Sequence, residues 1–186
     1  MKTMPFLMLL VLSRIDLAMT QPNYKTFGAL YNWPAAMNYE PGSDSIHSGI
    51  QGICPTGWHL PGDAEWTVLT DYLTNKGYGD GGSGDDIGRS MASNTGWVFL
   101  TPGGTYGSHL RSNNSSGFKA LLCGEYFAYG GFGVFGYLDY DTSFWPATEF
   151  DAATAHSRYM HFLNNGATRE YTSEKFGFSV CCLMNR

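Results

Sequence analysis

The chain has 186 residues, enough for one domain with a sizeable core. Its net charge of -5 leaves no basic footprint, which argues against nucleic acid as a partner and against anionic membranes. Aromatic residues make up 16%, charged residues only 15%, and 24 positions are glycine, a mixture that fits short strands and turns closed over an aromatic core and not a helical bundle.

In chain order, residues 1–20 carry Lys2, an apolar run from Pro5 to Leu12, then Arg14 and Asp16. The run has the length of a signal-peptide core and is far too short to span a bilayer. Charges follow it at once and no small-x-small cleavage site is present, so a buried edge strand or a disordered start is the competing reading. Phe27 to Tyr39 reads as a short strand ending in the Trp33-Pro34 turn, followed by one helical turn. Residues 40–53 are polar and glycine-rich, hence loop.

Gln51 to Trp66 passes from a Gly/Pro turn into the clearest helix start of the chain. Asp63 is placed to cap that helix, and Glu65 sits in its first turn, where a carboxylate suits the dipole. Trp66, Leu69, Tyr72 and Leu73 recur at helical spacing, which predicts a helix over about 63–75 with one face buried. Residues 77–86 are too rich in glycine for regular structure and read as a surface loop. A short helix is expected over 86–92 with Asp85 or Asp86 as its cap, and Gly96-Trp97 as a turn that returns an aromatic to the core.

From residue 117 the chain becomes strand-like. Gly117 to Leu122 reads as one apolar strand, and Gly124 to Tyr140 alternates glycine with aromatics, a hairpin or meander with a glycine-rich tip. Ser143 to Glu149 follows as strand plus turn. Ser157 to Leu163 alternates, with Arg158, Met160 and Phe162 on one face and Tyr159, His161 and Leu163 on the other. Asn164-Asn165-Gly166 is a hairpin signal, residues 167–173 are the return arm, and Phe176 to Leu183 is the closing strand.

The four cysteines, Cys54, Cys123, Cys181 and Cys182, form no CxxC pair, which argues against a zinc ribbon. Export would allow one long-range disulfide. Four thiols permit three full pairings, among which the spacing does not choose, and buried or free thiols are the competing reading. Adjacent Cys181 and Cys182 would face opposite sides of a strand, which disfavours a vicinal disulfide or a shared metal.

Several segments fall in the order of one family: Leu30 to Met37, Gln51 to Pro61, Asp63-Ala64-Glu65-Trp66, Ser116-Gly117-Phe118, Phe144 to Glu149, and Phe176 to Leu183. Together they resemble the Fibrobacter succinogenes major paralogous domain of bacterial surface and secreted proteins, over roughly residues 27–183. The resemblance implies an α+β, C-type lectin-like fold: two helices packed on small, mostly antiparallel sheets, with the chain ends close together. It also implies distant kinship with formylglycine-generating enzymes and with the variable proteins of diversity-generating retroelements. The family's Cys positions match Cys54 and Cys182, so the resemblance implies a bridge between them. Three departures mark the chain as a diverged or truncated copy: residues 1–26 replace the usual first strand, making them an export signal or a divergent segment; Cys181 stands where arginine is usual; and Trp145-Pro146-Ala147-Thr148-Glu149 replaces Trp-Ser-Ser-Thr-Glu.

No residue pattern announces catalysis. His59 reads as a structural hydrogen-bonder, and His156 and His161 lie across strand faces. Calcium is suggested by animal C-type lectins, but Asp80, Asp85, Asp86, Asp139 and Asp141 lack a recognisable ligand spacing and read as solvated loop carboxylates. What remains is a binding surface over residues 149–175, rich in aromatic, amide and charged side chains suited to stacking and adaptable hydrogen bonds. Its candidate contacts are Trp145, Glu149, Asp151, His156, Arg158, Tyr159, His161, Asn164, Arg169 and Tyr171, with Trp145 and one strand face expected in the core. The leading expectation is a non-catalytic secreted or cell-surface module that binds a glycan or a protein, without cofactor. A retroelement variable protein is the alternative, and a copper-dependent oxidoreductase of the formylglycine-generating type a more distant one.

Overall fold

The protein is represented by a computed structural model that describes residues 8–10, 27–78, 86–94, 114–129, 132–162 and 166–185. Among the described residues the helices are Trp33–Ala36 (α1), Asp63–Asn75 (α2) and Gly88–Met91 (α3). The strands are Met8–Leu10 (β1), Trp58–His59 (β2), Glu125–Tyr129 (β3), Phe132–Gly136 (β4), Asp141–Phe144 (β5), Glu149–Asp151 (β6), Thr154–His161 (β7), Thr168–Ser173 (β8) and Cys181–Met184 (β9). They form small antiparallel sheets joined by long loops, an α+β domain in which strands and loops dominate.

Helix α2 occupies the predicted span and buries Trp66, Leu69 and Leu73, while Tyr72 is half-buried at the edge of the face. Its start differs from expectation. Gly62, not Asp63, is the N-cap, and Glu65 folds back so that its Oε2 accepts the Gly62 N–H at 3.1 Å. The next free amides are satisfied from outside the helix: Asp63 N–H donates to Thr148 Oγ1 (2.8 Å) and Ala64 N–H to Asp44 Oδ1 (3.0 Å). Asp63 is thereby released from capping, and its carboxylate is taken by two arginines.

Strand β7 is the centre of the largest sheet. β8 pairs along one edge, and β5 and then β6 share the other. β7 and β8 form the expected hairpin, whose turn at 163–165 lies outside the described residues. β3 and β4 form the second expected hairpin. A parallel bridge of Gly124 with Thr142 ties it to the main sheet, and an antiparallel bridge of Tyr126 with Gly177 ties it to the segment before β9. β9 lies between β1 and β2, so the start and the end of the chain meet.

Two apolar clusters result. In one, Trp66, Leu69, Leu73, Met91, Leu122, Phe144, Met160 and Cys181 fill the space between α2 and the main sheet. In the other, Trp33, Trp145, Phe178, Leu60 and the Cys54–Cys182 disulfide pack together. Adjacent Cys181 and Cys182 enter different clusters, as strand alternation requires. The Trp33 and Trp145 side chains clasp each other's loops: Trp33 Nε1 donates to the Pro146 carbonyl (2.9 Å) and Trp145 Nε1 to that of Tyr31 (2.7 Å). In the turn before the disulfide, Gly52 has φ +53°, and a Cβ there would collide with the Ala36 carbonyl that accepts the Ile53 N–H.

Two expected elements take other forms. Residues 117–122 make no strand: Gly117 and Lys119 have positive φ, and Ala120 makes only an isolated bridge to Ala92. The run is apolar because it fills the space against α3, not because it pairs. Helix α3 starts after Ile87, so Asp86 does not cap it; Asp85 lies outside the described residues, as do Asp80 and Gly96-Trp97.

Candidate functional site

The pleat of β7 sorts the candidate side chains. Opposed residues of an antiparallel pair share a face, and the register joins His156 with Tyr171 and Arg158 with Arg169, but Ser157 with Glu170 and Tyr159 with Ser143. The first set faces α2. The second, with His161, lines a cleft.

The α2 face is largely structural. Arg158 is buried, and its guanidinium reaches the Asp63 carboxylate, the Asp63 carbonyl and Thr67 Oγ1 at 2.7–2.9 Å. Arg169 Nε closes on Asp63 Oδ2 at 2.6 Å from the surface. Trp145 is fully buried in the clasp. Neither Trp145 nor Arg158 is available to a ligand. Asp151 accepts the Ala153 and Thr154 N–H groups of its own turn, which holds its carboxyl below the usual range. Exposed Tyr171 stacks on Phe150 at 4.3 Å beside His156, with exposed Glu149 nearby on β6. Asn164 lies outside the described residues.

The opposite face opens into a cleft of about 380 Å³. Asp141, Ser143, Ser157, Tyr159, His161, Glu170 and Thr172 come from the main sheet; Glu125, Phe127, Tyr137, Phe176 and Phe178 come from the β3–β4 hairpin and the segment before β9. Two of these acids are buried. Ser143 Oγ–H donates to Glu125 Oε1 at 2.5 Å, and Tyr159 O–H to Asp141 Oδ2 at 3.3 Å. Asp141 Oδ1 is buried with no hydrogen-bond partner among the described residues. Burial, with the charge of Glu125 beside it, pushes the Asp141 carboxyl up to about 8. Burial also raises Glu125, to about 6, despite the opposing Ser143 hydrogen bond. Burial and then the Asp141 charge raise the Tyr159 phenol, and burial lowers the His161 imidazole.

At neutral pH Asp141 thus keeps its proton while Glu125 is mostly ionised, so one cleft holds a carboxylic acid and a carboxylate between aromatic walls. Asp141 is therefore not the solvated loop carboxylate expected from the sequence. Sequence reasoning placed Tyr159 and His161 correctly on one face but missed Glu125, Ser143 and Glu170. The available signals were a lone acid opening the aromatic hairpin, and an acid heading the buried run Asp141-Thr142-Ser143-Phe144.

A second polar group lies on the far side of the domain. His59 links Asn185 Oδ1 through Nδ1 (2.6 Å) to Glu65 Oε1 through Nε2 (3.1 Å), with His47 Nδ1 at 3.8 Å from the same carboxylate oxygen. His59 is indeed a hydrogen-bonder inside the fold.

No described helix is long and apolar enough to cross a membrane. No curated protein and no solved structure matches the chain. Residues 13–184 match the Fibrobacter succinogenes major domain (Fib_succ_major), a span that takes in the Gly52-Ile53-Cys54-Pro55 turn, α2, the Trp145 clasp and the closing strand. The chain belongs to the Fibrobacter succinogenes major domain family.

Proposed function

We propose that this chain is a non-catalytic binding module of C-type lectin-like fold, exported to the cell surface or beyond, whose Glu125–Asp141 cleft takes a glycan. The observation that carries the reading is the pairing of a hydrogen-bonding acid and carboxylate with flanking aromatic rings. Sugars are held by this combination, since their hydroxyls need donors and acceptors and their C–H faces stack on aromatics. A buried acid with one oxygen unpartnered among the described residues costs stability, and that cost supports a binding role for the cleft. The Cys54–Cys182 bridge supports export, because such bonds persist in oxidising compartments. The pairing of β1 with β9 supports the lectin-like reading, in which the chain ends meet. The remaining thiols, Cys123 and Cys181, are buried and their pKa values raised by desolvation, the opposite of the reactive pair that copper oxidoreductase chemistry needs.

A protein ligand is the second reading, favoured by the exposed Tyr129, Phe132 and Val134 on the hairpin beside the cleft. A retroelement variable protein would instead use the Glu149, His156 and Tyr171 side, and predicts a template repeat and a reverse transcriptase gene next to this one. The deciding experiment is a glycan array probed with the wild type and with Tyr159→Ala, with reducing-sugar release measured on every hit. Binding to one glycan class, weakened at least tenfold by Tyr159→Ala and without sugar release, is expected. A silent array overturns the glycan reading, and released sugar overturns the non-catalytic one.

A further inference from the structure

We infer that His47, His59 and Glu65 form a site for a divalent transition-metal ion of the zinc class, independent of the cleft. One ligand atom from each residue lies within 4.8 Å of the other two. Zinc bonds of about 2.0–2.1 Å to nitrogen and oxygen place tetrahedral ligands about 3.3 Å apart. His59 Nε2 and Glu65 Oε1 are already 3.1 Å apart, and His47 Nδ1 is 3.8 Å from that same oxygen. His47 is exposed, at 69%, and joins through a side-chain adjustment that leaves the core untouched.

The hydrogen bonds around the group point to a cation. Glu65 Oε2 accepts the Ser48 and Gly62 N–H groups, both at 3.1 Å, which orients the carboxylate so that Oε1 lies 3.1 Å and Oε2 3.3 Å from His59 Nε2. His59 Nδ1 sits 2.6 Å from Asn185 Oδ1. In the tautomer whose Nδ1–H donates to Asn185 Oδ1, His59 presents its Nε2 lone pair beside Glu65 Oε1, where a metal ion would take both. A ligating histidine whose other N–H is held by an oxygen is the usual second sphere of a zinc site. Nitrogen donors also select zinc-class ions over calcium. Above the group a hollow of about 350 Å³, lined by His47, Gly49, Gln51, Trp58, His59 and Asn185, leaves room for water as the fourth ligand. The nearby start of α2 opposes a cation, and the Glu65 charge offsets it.

The test uses the full chain, stripped with chelator, titrated with zinc by calorimetry and with cobalt(II) by visible absorption. One ion per chain is expected, with micromolar affinity and a tetrahedral cobalt spectrum. His47→Ala should weaken binding at least tenfold while its metal-free circular dichroism matches the wild type, since the side chain lies outside the core. Absence of saturable binding up to about 1 mM zinc, or an affinity unchanged in His47→Ala, overturns the site.

Discussion

Replacing Asp141 by Asn should stabilise the protein, and the gain should grow with pH. The Asp141 carboxyl is raised from 3.8 to about 8, first by burial and then by the Glu125 charge. The unfolded chain gives up this proton near the ordinary value, while the folded chain keeps it until about pH 8. Between those limits the folded state binds more protons, so stability falls as pH rises from about 4 to about 8. From 3.8 to pH 7, at about 1.36 kcal/mol per unit, the full cost is about 4 kcal/mol. The cleft is open to water, which screens the carboxyl, and about 2 kcal/mol is the expected net value at pH 7. Asn keeps the shape and can still accept the Tyr159 hydrogen bond, but has no proton to lose. Urea unfolding of both proteins at pH 4 and pH 8 reads the difference. The curves should nearly coincide at pH 4, with the variant more stable at pH 8. A variant no more stable than wild type at pH 8, or an offset equal at both pH values, would refute the buried-acid reasoning.

Reducing the Cys54–Cys182 bond, which closes a separation of 128 residues, should lower unfolding stability by about 4–5 kcal/mol in the chain-entropy view. Urea midpoints with and without reductant measure this, and no shift would mean that the unfolded chain gains little freedom. Arg158→Ala should cost about 3–5 kcal/mol because it removes the buried partner of Asp63, whereas Arg169→Ala, at the exposed end of the same pair, should cost under about 1 kcal/mol. Equal losses in thermal unfolding would contradict the assignment of Arg158 as the structural member.

What was legible in the sequence was whatever local periodicity encodes. The spacing of Trp66, Leu69 and Leu73 marks α2 because tertiary packing uses the same face that the pattern displays. Alternation along Ser157 to His161 separates Arg158 from Tyr159 and so divides core from cleft before any contact is known. The disulfide pair came from the family resemblance, since the spacing leaves three pairings open. The site itself was mostly illegible. Glu125 and Asp141 belong to separate strands, and nothing local says that both will be desolvated by the same fold. Asp63 looked like a cap because capping is a local property, but Gly62 and Thr148 take that role and leave its charge for Arg158. Residues 117–122 looked like a strand because a buried connector and a buried strand share one composition; only the positive φ at Gly117 and Lys119 separates them.

The reciprocal clasp of Trp33 and Trp145 has a consequence for how the chain comes into being. Its hydrogen bonds join residues 113 and 114 positions apart, and the disulfide spans further still. A chain emerging from the ribosome therefore carries Trp33, Leu60 and Cys54 for most of its synthesis with their partners not yet made. Contacts of such long range form late and slowly. The cluster around Trp33 and Cys54 therefore cannot close until residue 182 has appeared.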